Sequence, residues 1–179
     1  MYKYFVLLAL AVLILGLTFV AVHWRRGIYK TFSQHVAFQK SSTYFYFVLF
    51  LIVLPLLYLF FAKYLVPALN LSDSVLFLVA LSCITQLGCT LVPETGGVKK
   101  KTHQTLAGVS ALLLIPVLFC ILGGDAVSGA VRIVVSVCIF LMVLIVGIVA
   151  FWGRARLPVL LLQIGYFALF FAAILAATY

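Results

Sequence analysis

The sequence predicts an all-α integral membrane bundle of six transmembrane helices. Hydrophobic residues make up 67% of the 179 residues and charged residues only 8%, whereas a soluble domain is nearer to half apolar and a quarter charged. Because so few polar groups cannot cover a water-facing surface, lipid must cover it. The apolar residues also form continuous runs long enough for the roughly 20 residues that a spanning helix needs. These runs do not alternate in the way that barrel strands do.

The six apolar runs define the expected helices. We place them at about residues 4–22, 44–66, 75–92, 103–122, 130–152 and from 157 or 158 to the end. The first run resembles a signal peptide, but it is long and ends in HWRR instead of a small-residue cleavage site, so it is interpreted as a retained span. Pro55 and Pro116 predict kinks inside two helices. Together the spans form a single transmembrane domain over residues 1–179, with no room for a separate soluble domain.

The longest polar segment, residues 23–43, predicts a short helix that lies on the membrane surface. The spacing of Ile28, Phe32, His35 and Val36 permits one or two amphipathic turns there. Between the third and fourth spans, Pro93 is expected to end the third span and the glycines that follow are expected to turn the chain.

The remaining local predictions concern the residues at helix ends. Thr102 is expected to cap the fourth span, which leaves the lysines that precede it in water. Ser72 or Asp73 is expected to cap the third span. Arg132 is expected to reach the membrane surface or to pair with Asp125.

Two spans contain unusual small and polar residues. In the third span, Gln86 is expected to bond a neighbouring helix in preference to a ligand. In the fourth span, one helix face carries a histidine above a strip of small residues, which favours close helix packing. The residues of that face are His103, Ala107, Ser110 and Ala111.

The net charge of +9 indicates a membrane orientation and not a nucleic-acid partner. Basic residues occupy short gaps between apolar runs, as the positive-inside rule requires, and can contact anionic headgroups. The bias predicts loops 1, 3 and 5 in the cytoplasm and both termini outside. These loops hold nine of the twelve basic residues: Arg25, Arg26, Lys30, Lys40, Lys99, Lys100, Lys101, Arg154 and Arg156.

The same topology predicts one candidate site. Loops 1 and 3 share a membrane face with the starts of the fourth and sixth helices, and both aspartates fall on the opposite face. The chemistry-bearing residues of the first face are therefore the candidate ligand-binding set: Ser33, His35, Glu94, His103 and Gln163.

Several functions are compatible with this set. The leading hypothesis is a non-catalytic membrane protein that binds a lipid or a small ligand. The alternatives are a lipid-modifying membrane enzyme, with His103 as acid/base assisted by Glu94 or Ser33, and a small transporter. Weaker alternatives are a metal site formed by His35, His103 and Glu94, and a haem held between His23 and His103. Neither metal nor cofactor is expected, since no short metal-ligand spacing occurs and the four cysteines contain no CxxC pair.

The end of the third helix and the start of the fourth resemble a known family. Val92 and Pro93, a polar linker, and then His103, Ala107 and Gly108 form a pattern similar to the prokaryotic membrane family called domain of unknown function 998. The chain is more distantly similar to the Frag1/DRAM/Sfk1 group. The resemblance implies a six-helix bundle in a prokaryotic cell membrane, without an established activity. It also matches Ser33 to a serine in the first loop of the family and Gln163 to a polar residue early in helix six.

Overall fold

The computed structural model describes residues 1–24, 27–152 and 157–179, which are almost entirely helical. Six of its helices are long and apolar enough to cross a membrane, and no strand occurs within the described ranges. The predicted fold class is therefore confirmed. The helices are α1 (Phe5–His23), α2 (Phe32–Val36), α3 (Lys40–Ala68), α4 (Ser74–Leu91), α5 (Gly97–Leu122), α6 (Gly129–Trp152) and α7 (Val159–Thr178).

The two termini meet at one end of the bundle. Lys3 Nζ lies 4.1 Å from the centre of the Tyr179 ring, and the Tyr64 hydroxyl donates to the Thr178 carbonyl oxygen at 3.5 Å. Along the chain, α1 packs on α3, α3 on α4, α4 on α5 and α6 on α7, while α5 also contacts α6 and α7. Because successive spans are antiparallel, α2 and the α4–α5 turn lie at the opposite end, which we call the α2 end.

Helix α3 is the longest span. It begins four residues before the expected start at residue 44 and continues through Pro55 to Ala68. Residues Phe61–Leu65 form a π-helical turn, which inserts one residue per turn and rotates the faces that follow. Phe60, Phe61 and Leu65 are completely buried there.

The predicted start of α5 is wrong. Its N-cap is Gly96 instead of Thr102, and the helix begins at Gly97. Gly96 and Gly97 have φ angles of 135° and 53°, which side chains with a Cβ rarely adopt, so the turn is completed before the lysines. Lysine is itself a good helix former, and the three lysines form exposed residues of the first turns. His103 consequently lies about 9 Å inside the helix, from the rise of 1.5 Å per residue.

The first loop contains the predicted short helix, but its side chains are less exposed than expected for a helix on the membrane surface. Helix α2 exists, but four of its five residues are buried against the protein. A capping box holds its start, since the Thr31 hydroxyl accepts from the Gln34 amide and the Gln34 side chain accepts from the Thr31 amide, both at 3.2 Å. The helix can therefore insert into the bundle because its polar groups are paired with protein instead of water.

At the terminal end, Arg132 bonds backbone instead of Asp125. Its guanidinium donates to the Val127 carbonyl oxygen at 3.1 Å and to the Gly124 carbonyl oxygen at 3.0 Å. Asp73 occupies the N-cap position of α4 without a side-chain capping bond. Four basic residues used to predict the orientation, Arg25, Arg26, Arg154 and Arg156, lie outside the described ranges.

Candidate functional site

Glu94 is the centre of a buried polar cluster at the α2 end. Its side chain is only 1% exposed, and one carboxylate oxygen accepts hydrogen bonds from Ser33 Oγ at 2.9 Å and Thr31 Oγ1 at 3.1 Å. The other oxygen accepts from Gln104 Nε2 at 2.9 Å and Gln34 Nε2 at 3.1 Å. A single carboxylate therefore joins the first loop, the α4–α5 turn and the first turns of α5.

The sequence explains why these donors converge. The capping box of α2 fixes Thr31 and Gln34, and Ser33 lies between them on the first turn. Gln104 is near Glu94 because α5 begins at Gly97 and has already made two turns. Sequence reasoning missed Thr31, Gln34 and Gln104, although the Thr-x-x-Gln pattern is a recognisable capping-box signal.

His103 lies beside the carboxylate. Its Nε2 is 3.8 Å from Glu94 Oε2, and its Nδ1 is 2.6 Å from the Val92 carbonyl oxygen. Since a carbonyl oxygen can only accept, Nδ1 carries a proton and donates it to Val92. The ring is therefore fixed in orientation by the turn that leads into α5.

Cys89 contacts the same imidazole, and sequence reasoning also missed this contact. Its Sγ is 3.3 Å from Nε2 and 3.5 Å from Nδ1 of His103. The sulfur is therefore within hydrogen-bonding distance of the ring, and it also lies 3.8 Å from the His103 carbonyl oxygen. These contacts join the end of α4 to the second turn of α5.

The other two candidate residues occupy different positions. Gln163 Oε1 accepts from the Phe32 amide at 3.1 Å, which ties α7 to the start of α2. His35 Nδ1 lies 2.8 Å from the Thr31 carbonyl oxygen within its own helical turn. His35 is buried but does not line the cavity described next. The structure thus brings Ser33, Glu94 and His103 together, places Gln163 beside them and separates His35.

A cavity of about 400 Å³ begins at this cluster and extends between α5, α6 and α7. Its lining is mostly apolar, with side chains of α6 and α7 such as Val149 and Phe167. The whole predicted face of α5 lines it, so the small residues below His103 leave open space in addition to allowing helix contact. Most polar residues gather toward the α2 end: Thr31, Ser33, Tyr46, Gln86, His103 and Gln163. Two more, Ser110 and Tyr166, lie deeper, and their hydroxyls donate to the carbonyl oxygens of Ser82 and Ala111.

Two polar side chains at the cavity have no hydrogen-bond partner among the described residues. Tyr46 lines the cavity although only 6% of its surface is exposed. The Gln86 amide also lines the cavity; the expected bond to a neighbouring helix is not formed. Among the described residues no fully buried side-chain nitrogen or oxygen lacks a partner, so these two polar groups are accessible from the cavity and available to a ligand.

The environment of Glu94 favours its ionised form. Burial alone raises the pKa of this carboxyl. The hydrogen bonds from Gln104 and Ser33 stabilise the carboxylate and lower the pKa. The nearby His103 ring and the Thr31 hydroxyl act in the same direction, and the resulting pKa lies below the usual value of 4.5.

We expect the stability of the protein to fall at acidic pH because of this group. A pKa that is lower in the folded state stabilises the fold above the unfolded pKa, and this contribution is lost as the pH falls through the folded pKa. The thermal unfolding midpoint in detergent should therefore decrease below about pH 4.5. Glu94→Gln should flatten that dependence, whereas Asp125→Asn should retain it; an unchanged slope in the Glu94 variant would contradict the assignment.

Comparisons with known proteins add no relatives: no family model, curated protein or solved structure matches the chain. The resemblance to the domain of unknown function 998 family therefore stays a prediction. Among the described residues, no group of three or more His, Cys, Asp or Glu side chains is arranged to hold a metal ion.

Proposed function

We propose that this membrane protein binds a lipid-like amphiphile with a single chain and does not act on it chemically. The observation that carries the proposal is the lining of the cavity, which has most of its polar side chains at the α2 end and is mostly apolar along the rest of its length, where the hydroxyls of Ser110 and Tyr166 are bonded to backbone. Pockets for small molecules are typically about 300–1,000 Å³ with few, well-placed polar groups. The cavity matches both the size and this distribution.

The length of the cavity suits an extended chain. Along α5 it runs from His103 to Leu114, a distance of about 16 Å at 1.5 Å per residue. A polar head at Ser33 and His103 would place the chain between α5 and α7. Two exposed residues, Leu112 and Ala150, belong to the lining, so the cavity is open to its surroundings and an amphiphile can enter from the bilayer.

The geometry gives less support to catalysis by His103. A general base must present a free nitrogen to the proton that it removes. His103 Nδ1 is bonded to the Val92 carbonyl oxygen, and Nε2 already lies 3.3 Å from Cys89 Sγ and 3.8 Å from Glu94 Oε2. Lipid modification and transport stay alternative predictions. If His103 were an acid/base, His103→Ala would abolish turnover and leave the fold intact.

The proposed orientation follows the charge distribution. Lys99, Lys100 and Lys101 are exposed at the α2 end, which supports a cytoplasmic position for that end. The polar head of the ligand would then lie near the cytoplasmic surface of the bilayer.

Filling the cavity tests the proposal. Gly108 lines the cavity, and a Cβ added there meets no atom within 4 Å, so Gly108→Leu should occupy the space without disturbing the backbone. Native mass spectrometry of the detergent-purified protein should show a discrete bound amphiphile that is lost in this variant.

The matched control is Gly147→Leu. Gly147 also lies in a spanning helix with no atom within 4 Å of an added Cβ, but it does not line the cavity. This variant should retain the bound mass. Equal occupancy in both variants, or no bound species in the wild-type protein after incubation with amphiphiles, would refute the proposal.

A further inference from the structure

We infer that the polar group of the ligand is a neutral hydroxyl, as in a monoacylglycerol or a long-chain alcohol, and not an anion. This inference rests on the proposed function and names the chemical class that the same cavity takes. It follows from a count of the hydrogens and lone pairs that the α2 end offers to a ligand.

The hydroxyls at the head of the cavity have no hydrogen left to donate. Thr31 Oγ1 and Ser33 Oγ each contact Glu94 Oε2, at 3.1 and 2.9 Å, and lie 2.9 Å from each other. A carboxylate only accepts, so the two hydroxyl hydrogens are shared among these three contacts. Whichever arrangement is present, both hydrogens are used inside the trio, and only lone pairs are left toward the cavity.

His103 adds no donor at the head of the cavity. Its Nδ1 proton is bonded to the Val92 carbonyl oxygen at 2.6 Å. When the ring is neutral, Nε2 has a lone pair and accepts. When the ring is protonated, the Nε2 proton lies on the side of Glu94 Oε2, 3.8 Å away. The amides of Gln34 and Gln104 also donate to this carboxylate.

The remaining polar groups require a ligand that also accepts. Gln163 Oε1 is bonded to the Phe32 amide, so the N–H groups of the Gln163 side chain are its available donors. The Tyr46 hydroxyl and the Gln86 amide can each donate or accept. A ligand hydroxyl can donate to the Ser33 lone pair and accept from Gln163. An ammonium group cannot accept, and it would leave these N–H groups unpaired.

Charge excludes an anion from the same position. Glu94 is ionised and lies directly behind the Ser33 and Thr31 hydroxyls. A phosphate or carboxylate head would face these lone pairs and the negative charge within a low-dielectric site. The exposed lysines at the α2 end lie in water, and none of them lines the cavity.

A panel of ligands with one chain and different heads tests the inference. The full chain in detergent is titrated with monolauroylglycerol, lauric acid, lauroyl lysophosphatidic acid and dodecylamine, and binding is measured by native mass spectrometry for the wild-type protein and for Gly108→Leu. We expect monolauroylglycerol to bind at least tenfold more tightly than the other three. We expect Gly108→Leu to abolish its binding.

Removing the Ser33 hydroxyl, which is the proposed acceptor, provides a second test of binding. Ser33→Ala should weaken monolauroylglycerol binding about tenfold, whereas Ser42→Ala should not, because the Ser42 hydroxyl donates to the carbonyl oxygens of Val36 and Gln39 and does not line the cavity. Circular dichroism confirms that both variants fold.

The outcomes separate the two proposals. The acid, the phosphate or the amine could instead bind as tightly as monolauroylglycerol or more tightly, with that binding lost in Gly108→Leu. This result would overturn the hydroxyl inference and support the binding function. Binding of none of the four, or binding that Gly108→Leu does not reduce, would overturn the binding function and the inference with it. A hydroxyl preference that Ser33→Ala leaves unchanged would overturn the donor–acceptor argument.

Discussion

Glu94→Ala is expected to lower the free energy of unfolding by about 3 kcal/mol. The substitution removes the shared acceptor of four side-chain donors, on Thr31, Ser33, Gln34 and Gln104. Water cannot easily replace it, because the carboxylate is almost completely buried. Reversible unfolding in mixed micelles, followed by circular dichroism, measures the change.

Two further variants make this result interpretable. Glu94→Gln keeps one acceptor oxygen but presents an N–H group to two of the donors, so an intermediate loss is expected. Asp73→Ala removes an exposed carboxylate that makes no side-chain capping bond, and we expect a change near zero. A loss in Glu94→Ala no larger than in Asp73→Ala would show that the cluster does not stabilise the fold.

Gly124→Ala is the second substitution with a large expected effect, about 2 kcal/mol of destabilisation. A Cβ at this position would lie 2.8 Å from Leu71 Cδ2, 3.1 Å from the Leu69 carbonyl oxygen and 3.2 Å from the Ile121 carbonyl oxygen. The leucine side chain can move, but the backbone oxygens cannot. The added methyl group would therefore force apart the α3–α4 and α5–α6 loops.

The neighbouring glycine is the control for this prediction. A Cβ at Gly123 would lie 3.5 Å from the Cys120 carbonyl oxygen, which is an ordinary contact, so Gly123→Ala should be nearly neutral. The same unfolding measurement compares the two alanine variants. Equal stabilities would mean that the loops can separate without cost.

Much of the fold was predictable because the membrane imposes it. Long apolar runs must form spanning helices, since backbone groups in hydrocarbon need partners within the chain. The same rule does not locate helix ends in water, which is why α5 begins at Gly97 and not near Thr102. The rule also does not predict that a polar segment such as α2 is buried when its side chains are bonded to other parts of the protein.

The candidate site was predictable only in part. Topology alone placed Ser33, Glu94 and His103 toward one face, and they lie in one cluster. It could not separate His35, whose ring bonds its own helical turn. The role of Gln104 depends on the helical register of α5, and the contact of Cys89 depends on how α4 packs against α5, so neither follows from residue types along the chain.

The long connection between Gln34 and Glu94 has a consequence for how the protein is made. Their hydrogen bond joins residues 60 positions apart. Translation at roughly 5–20 residues per second therefore separates their synthesis by about 3 to 12 s. Until the α4–α5 turn emerges, the polar side chains of α2 have no carboxylate partner, and burying them in hydrocarbon would cost several kcal/mol. Helix α2 is therefore expected to stay in water at the membrane surface until the α4–α5 turn has been made, so it docks later than its place in the chain suggests.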